Sequence, residues 1–270
     1  VNDLSRDHAT IEYEVRGSVA TLTLNRPRRR NAIDRRMRSE LAAAVASIRQ
    51  DQGLRSLILR GAGGAFCAGG DIREMSPVAV GAEAARDRMR SVHTWIEGLL
   101  KLDFPVIAVV DGPAYGAGFS LALAADFVIA TPSARFCMPF LRLGLIPDLG
   151  SLYTLPRVVG VQRAREIIYS MREIGASEAR DIGVVFEIHE PAAALQRAQE
   201  LANSFAQASP VALSLTKRAL ATSLNTDLAT VLDTEASGQA IARNTDYHLD
   251  AVNAFLEKRP PTFRWHDATR

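Results

Sequence analysis

The sequence predicts an α/β protein with a helical C-terminal part. Three observations predict it. Apolar runs of strand length at 56–60 and 105–110 each lead into a glycine-rich loop, stretches of helical periodicity separate them, and after residue 149 the pattern turns mostly helical. The 270 residues are 47% apolar, enough for one large core or a core with an appendage.

The opening reads as a hairpin. "IEYEV" (11–15) and "VATLTL" (19–24) alternate apolar and polar residues across a Gly17-Ser18 turn. Asp34 is placed to cap a helix reaching Gln50, with Met37, Leu41, Val45 and Ile48 on one stripe. "SLILR" (56–60) is a buried strand, 86–102 a second helix, and "PVIAVV" (105–110) another strand. Helix "FSLALAA", strand "DFVIA" and strand "ARFCM" (134–138) follow. Helices are expected at 162–170, 177–182, 192–208, 210–221, 226–243 and 248–258, interrupted by one strand, "VVFEI" (184–188). We place the boundary between a core (1–200) and a C-terminal helical region (201–270), with no flexible linker between them.

Composition excludes several classes. Mean hydropathy is near zero and no apolar run approaches the ~18 residues of a membrane span. The first fifteen residues lack the layout of a secretory signal. Cys67 and Cys137 are far apart with no Cys-x-x-Cys spacing, so neither a disulfide framework nor a zinc site is expected, and a reducing, cytoplasmic setting is. The net charge of +2 argues for no nucleic-acid partner, although Arg26 to Arg38 holds seven arginines in thirteen residues. That cluster is read either as a solvated helix start or as a site for a phosphate-bearing small ligand.

The two glycine loops raise the question of chemistry. "GAGGAFCAGGDI" (61–72) follows a strand, but Phe66 stands where a dinucleotide fingerprint needs glycine, and no lysine completes a Walker loop. "DGPAYGAGFSLALAAD" (111–126) again follows a strand and enters a helix. Small residues there admit a close ligand, and two such loops with bare N–H groups suit a carbonyl oxygen gaining charge. Tight packing alone explains the glycines equally well. Downstream, Asp148 in "LIPDLGS" is either the N-cap of the next helix or a lone carboxylate placed to move a proton.

"LNRPRRRNAID", "AFCAGGDIREM", "GPAYGAGFSLALAAD", "RFCMPFLRLGLIPDLG" and "FLEKRPPTF" together resemble, in order and spacing, the enoyl-CoA hydratase/isomerase (crotonase) superfamily. The resemblance spans nearly the whole chain. It implies a spiral of ββα units, a helical C-terminal region used in trimerisation, and a trimer or a hexamer built of two trimers. It implies an acyl-CoA thioester as substrate, with coenzyme A part of that substrate and no other cofactor or metal. It further assigns the oxyanion donors to the N–H groups of Ala68 and Ala117. Ala68, Gly69, Gly70, Asp71 and Ile72 would border coenzyme A, Arg28, Arg29 and Arg30 would meet its phosphates, and Lys258 would reach coenzyme A on an adjacent subunit.

The same resemblance identifies a departure. Family hydratases carry two glutamates where this chain has Ser120 and Phe140. Neither side chain accepts a proton at neutral pH, so two-glutamate hydration is not expected. Asp148 stands where isomerase-like members carry an aspartate, and the run most resembles branches acting on dienoyl-CoA or epoxyphenylacetyl-CoA. A cofactor-independent acyl-CoA isomerase of fatty- or aromatic-acid metabolism is the expectation, with Asp148 as proton shuttle, its pKa raised beside Phe140, Leu145 and Ile146. The rival readings are a slow hydratase or C–C lyase using Ser120 or Tyr115, and a non-catalytic acyl-CoA-binding subunit. Tyr115 is expected to line the acyl pocket, Arg142 to be a rim cation or partner of Asp148, and Glu74 and Glu97 to be weaker candidates. His93, His189 and His248 carry no motif.

Overall fold

The computed structural model describes residues 9–74 and 81–265. β1 (Ile11–Arg16) and β2 (Val19–Leu24) pair antiparallel around Gly17, whose φ of +61° suits a residue without a Cβ. A short turn, Pro27–Arg29, leads to α1 (Arg35–Gln50). The Asp34 carboxylate caps it, accepting from the Met37 N–H at 2.7 Å, and the apolar stripe Met37, Leu41, Ala44, Val45 and Ile48 is buried. β3 (Ser56–Gly61), α2 (Ala82–Leu100) and β4 (Val106–Val110) follow. α2 begins four residues before the expected start, because 82–85 continue the helix as an exposed turn without contributing to the apolar stripe.

Then come β5 (Pro113–Tyr115), α3 (Ala117–Ala122), β6 (Phe127–Ala130) and β7 (Arg135–Cys137). A 3-10 turn, Pro139–Leu143, precedes α4 (Ser151–Val159) and α5 (Val161–Ser170). α4 is the helix that the cap reading of Asp148 places straight after it, and Gly160, at φ +77°, divides it from α5. β8 (Ile174–Gly175), α6 (Ala176–Asp181), β9 (Glu187–Ile188) and α7 (Pro191–Ala206) complete the core. The strand expected at 184–188 shrinks to two residues. Val184 and Val185 are buried, but their N–H groups bond to the Ala179 carbonyl instead of a strand.

Six strands form one sheet in the order β1-β2-β3-β4-β6-β9, parallel from β2 onward, and β5-β7-β8 form a second. β3 and β4 bury both faces, as their near-continuous apolar sequences require. Leu22, Leu57, Leu59, Ala108 and Val110 join α1 and α2 in the larger core. Val19, Ile58, Ile107 and Ile129 point the other way, onto Ala198, Leu201 and Phe205 of α7. Residue 200 therefore falls inside a helix that belongs to the core. The appended region starts after it, with α8 (Pro210–Ser223), α9 (Leu228–Arg243) and α10 (Asp246–Leu256), which bury a single residue, Ala254, among them. α8 is tied to the core by Lys217, whose ammonium reaches Asp126 at 2.5 Å, and by Arg218 on Asp103. No helix among the described residues is long and apolar enough to cross a membrane.

Candidate active site

The loops that leave β3 and β4 are stitched to one another. The Cys67 N–H donates to Pro113 O at 3.0 Å, and the Tyr115 N–H donates back to Cys67 O at 2.9 Å. Small residues make the crossing possible: a Cβ on Gly118 would lie 2.1 Å from Cys67 O, and one on Gly69 2.9 Å from Tyr115 O. Asn31, fully buried, pins the first loop from the side. Its amide donates to Ala62 O and Ala65 O, and its carbonyl accepts from the Arg26 N–H at 2.8 Å. The Arg26 guanidinium then bridges Asp34 and Asp71. Neither Asn31 nor Arg26 was singled out from sequence. Their signal was present, an Asn followed by a helix cap within the arginine run, but nothing local says that an Asn side chain reaches a loop thirty residues on.

This stitching decides which N–H groups are free. The Ala68 N–H donates to Arg30 O at 2.9 Å, so it has no capacity left for an oxyanion. The N–H that stays free in this loop is that of Gly70. Its neighbours bond Ile33 on both sides, Ile33 N to Gly69 O and Asp71 N to Ile33 O, and this ladder turns the Gly70 N–H the other way. Ala117 opens α3, where the first N–H groups of a helix have no internal acceptor. Among the described residues neither the Gly70 nor the Ala117 N–H meets a main-chain acceptor. Asp71 is held by Arg26, Ile72 is exposed, and Arg28, Arg29 and Arg30 stand exposed on the turn before α1.

The structure removes one of the two readings of Asp148, the helix cap. The residue preceding α4 is Gly150, and no side chain caps that helix. Ser151 bonds the Asp148 main-chain oxygen through both its N–H and its hydroxyl, leaving the carboxylate unused as a cap. Its Oδ1 is buried with no hydrogen-bond partner. Burial pushes the pKa up from 3.8 to about 6, against the opposing charges of His93 and Arg38. Leu145 and Ile146 do not supply that burial, being 45% and 73% exposed. Phe140 is the buried neighbour in sequence, and its ring edge lies 3.6 Å from where a Gly116 Cβ would stand, over the second glycine loop.

The remaining candidates separate. The Ser120 hydroxyl, fully buried, is turned back onto Gly116 O at 3.2 Å. Tyr115 donates its hydroxyl to Glu173, and burial together with that carboxylate pushes its pKa up to about 12. Arg142 acts on Cys137 and not on Asp148. Glu74 pairs with Arg38 and the exposed Glu97 with Lys101. His189 and Arg197 share Glu187. Lys258 follows α10, and the tail behind it returns to the α7 side of the sheet, where Phe263 and Trp265 meet Phe205.

Comparison with known proteins bears on the family and the fold. The enoyl-CoA hydratase/isomerase family model matches residues 14–266. The chain is 38% identical over 252 residues to 1,2-epoxyphenylacetyl-CoA isomerase of Escherichia coli, covering 92% of this chain and 96% of that protein. It is 34% identical over 249 residues to short-chain-enoyl-CoA hydratase of Clostridium acetobutylicum, covering 91% and 94%. The crystal structure of an enoyl-CoA hydratase/isomerase from Cupriavidus metallidurans superposes with a TM-score of 0.89 at 42% identity, covering 98% of this chain and all of that one.

Proposed function

Since the chain is an enzyme of the enoyl-CoA hydratase/isomerase family, with the crotonase fold, we propose that it is a cofactor-independent acyl-CoA isomerase. The single observation that supports this is the half-buried carboxylate of Asp148, whose Oδ1 is buried without a partner and whose pKa is raised to about 6. The thioester oxygen lies between the N–H groups of Gly70 and Ala117, and the charge it gains on enolisation is met by two donors already in place. One such donor is typically worth about 3–4 kcal/mol in the transition state. Asp148 takes a proton from one carbon of the enolisable system and returns it to another. No second acid is needed, because the same group leaves each turnover as it entered.

Hydration requires a positioned water and a group to take its proton. The Ser120 hydroxyl is turned back onto Gly116 O and the Tyr115 hydroxyl donates to Glu173, which weighs against the hydratase and lyase readings that relied on them. Coenzyme A runs over the main chain of 68–72, its phosphates meeting the exposed Arg28, Arg29 and Arg30. Lys258 reaches coenzyme A of a neighbouring subunit in a trimer or dimer of trimers, and the setting is cytoplasmic. Asp148→Asn tests the central role: kcat for shifting a 3-enoyl-CoA to its 2-enoyl isomer falls by about 10²–10⁴-fold, while the dissociation constant for the thioester barely moves. Turnover retained in that variant, or rapid loss of the enoyl absorbance of crotonyl-CoA with the native protein, overturns the reading.

A further inference from the structure

The helix that follows Asp148 is joined to the appended region by two side chains that the proton transfer does not use. Asp148 is fixed to α4 at the main chain. Ser151 donates to its carbonyl oxygen at 3.0 Å through the N–H and at 2.8 Å through the hydroxyl. Leu149 and Gly150, at φ +50° and +77°, complete the turn. A displacement of α4 is therefore felt at Asp148.

Taken alone, α4 is a weak support. It has nine residues, and Pro156 within it has no N–H to bond the Leu152 carbonyl. Of its residues only Ser151, Thr154 and Leu155 are buried. Its outer face is braced against the end of α8 instead. The Tyr153 hydroxyl donates to Ala221 O at 2.7 Å, in the last turn of α8, where carbonyls have no partner within the helix. The Arg157 guanidinium stacks 3.4 Å from the centre of the Tyr153 ring. It donates to Tyr153 O and to Asn225 Oδ1, each at 3.0 Å. Its Nε is buried without a partner, so Arg157 holds this place against a penalty that its other contacts offset. The far side of the brace is anchored as well. Lys217 and Arg218 tie α8 to Asp126 and Asp103, and Lys217 also donates to Phe104 O at 3.0 Å.

We propose that Tyr153 and Arg157 are positioning residues, which carry the placement of α8 through α4 to the Asp148 carboxylate. The inference rests on the isomerase reading above and adds two residues to it. They act through Asp148 and leave coenzyme A and the two N–H donors untouched. Without them the 148–150 turn shifts, Asp148 stands further from the carbon it serves, and water reaches its Oδ1.

Steady-state isomerisation of a 3-enoyl-CoA by Tyr153→Phe, Arg157→Lys and Asn225→Ala tests this, beside the native protein and Asp148→Asn. Tyr153→Phe removes one hydroxyl and Asn225→Ala changes an exposed position, so both are mild changes to the fold. In each variant kcat falls about ten- to a hundredfold, the effect of a small misplacement at the reacting centre, while KM stays near the native value. The acid limb of kcat, near pH 6 in the native protein, moves to lower pH, because burial raised the Asp148 pKa and hydration lowers it again. Joined to Asn225→Ala, Arg157→Lys loses no more than it does alone, since the two share one contact. Native kcat in Tyr153→Phe and Asn225→Ala overturns the proposal. A loss of kcat with the acid limb unmoved also overturns it, by making the contacts structural only. So does a loss matched by a smaller species in sedimentation, which assigns the effect to assembly. Turnover retained by Asp148→Asn, or absent from the native protein, overturns the isomerase reading itself, and this inference falls with it.

Discussion

Asp148 sits where water reaches poorly and no donor meets its Oδ1, so its ionised form is disfavoured at the same time as it is made more basic. Two predictions belong to this residue. As a base it must be ionised, so kcat for isomerisation is level above neutrality and falls as pH drops through about 6; a profile without that limb excludes it. The second concerns stability. A carboxyl whose pKa is 3.8 unfolded and about 6 folded binds more protons in the native state between those values. Its penalty is absent below the lower value and grows until pH passes the upper one. At pH 7.5 it costs on the order of 1–3 kcal/mol. Asp148→Asn should therefore melt higher than the native protein at pH 7.5, with the gap closing toward pH 4. That aspartate was legible in the sequence as the sole acid of its segment. Its freedom from a capping role was not, because the left-handed turn at Leu149 and Gly150 that detaches it from α4 is a matter of backbone path.

Among the elements, the crossing of the two glycine loops governs which N–H groups face outward. The strand–loop–helix order could be read from apolar runs and glycines, and both loops stand where the spacing puts them. The choice of Gly70 over Ala68 could not, since it follows from a bond between Ala68 and Arg30, thirty-eight positions apart in the chain. Gly118→Ala puts a methyl group 2.1 Å from Cys67 O, and one loop must move. Overpacking of this kind costs roughly 1–3 kcal/mol, and kcat should fall more than thioester affinity, because the donors shift relative to the oxygen. Unchanged kcat would show that the crossing does not position them. Asn31→Ala strips two carbonyls of their donor and lowers stability by roughly 1–3 kcal/mol, read from denaturant midpoints.

For the whole molecule, the telling feature is the appended helices. α8, α9 and α10 expose Leu220, Leu224, Leu228, Leu232, Ile241 and Phe255, and α4 adds Leu152 and Tyr153. In the proposed trimer, exposed apolar side chains such as these are what a neighbouring subunit would cover. Phe255→Glu, at a position 82% exposed, should leave the fold of the core intact yet shift sedimentation toward a smaller species. An unchanged assembly would place the interface elsewhere.

By itself the sequence determined the alternation of strands and helices, the glycine loops, the arginine run and the lone acid after Pro147, because each depends on residues adjacent or periodic along the chain. Only the tertiary structure decided that Ala68 is spent and Gly70 free, that Asp148 caps nothing, and that Tyr153 and Arg157 brace α4 against the end of α8. Those outcomes depend on which groups satisfy one another across long separations, and a hydrogen bond or a repulsion between distant residues leaves no periodic trace in the chain.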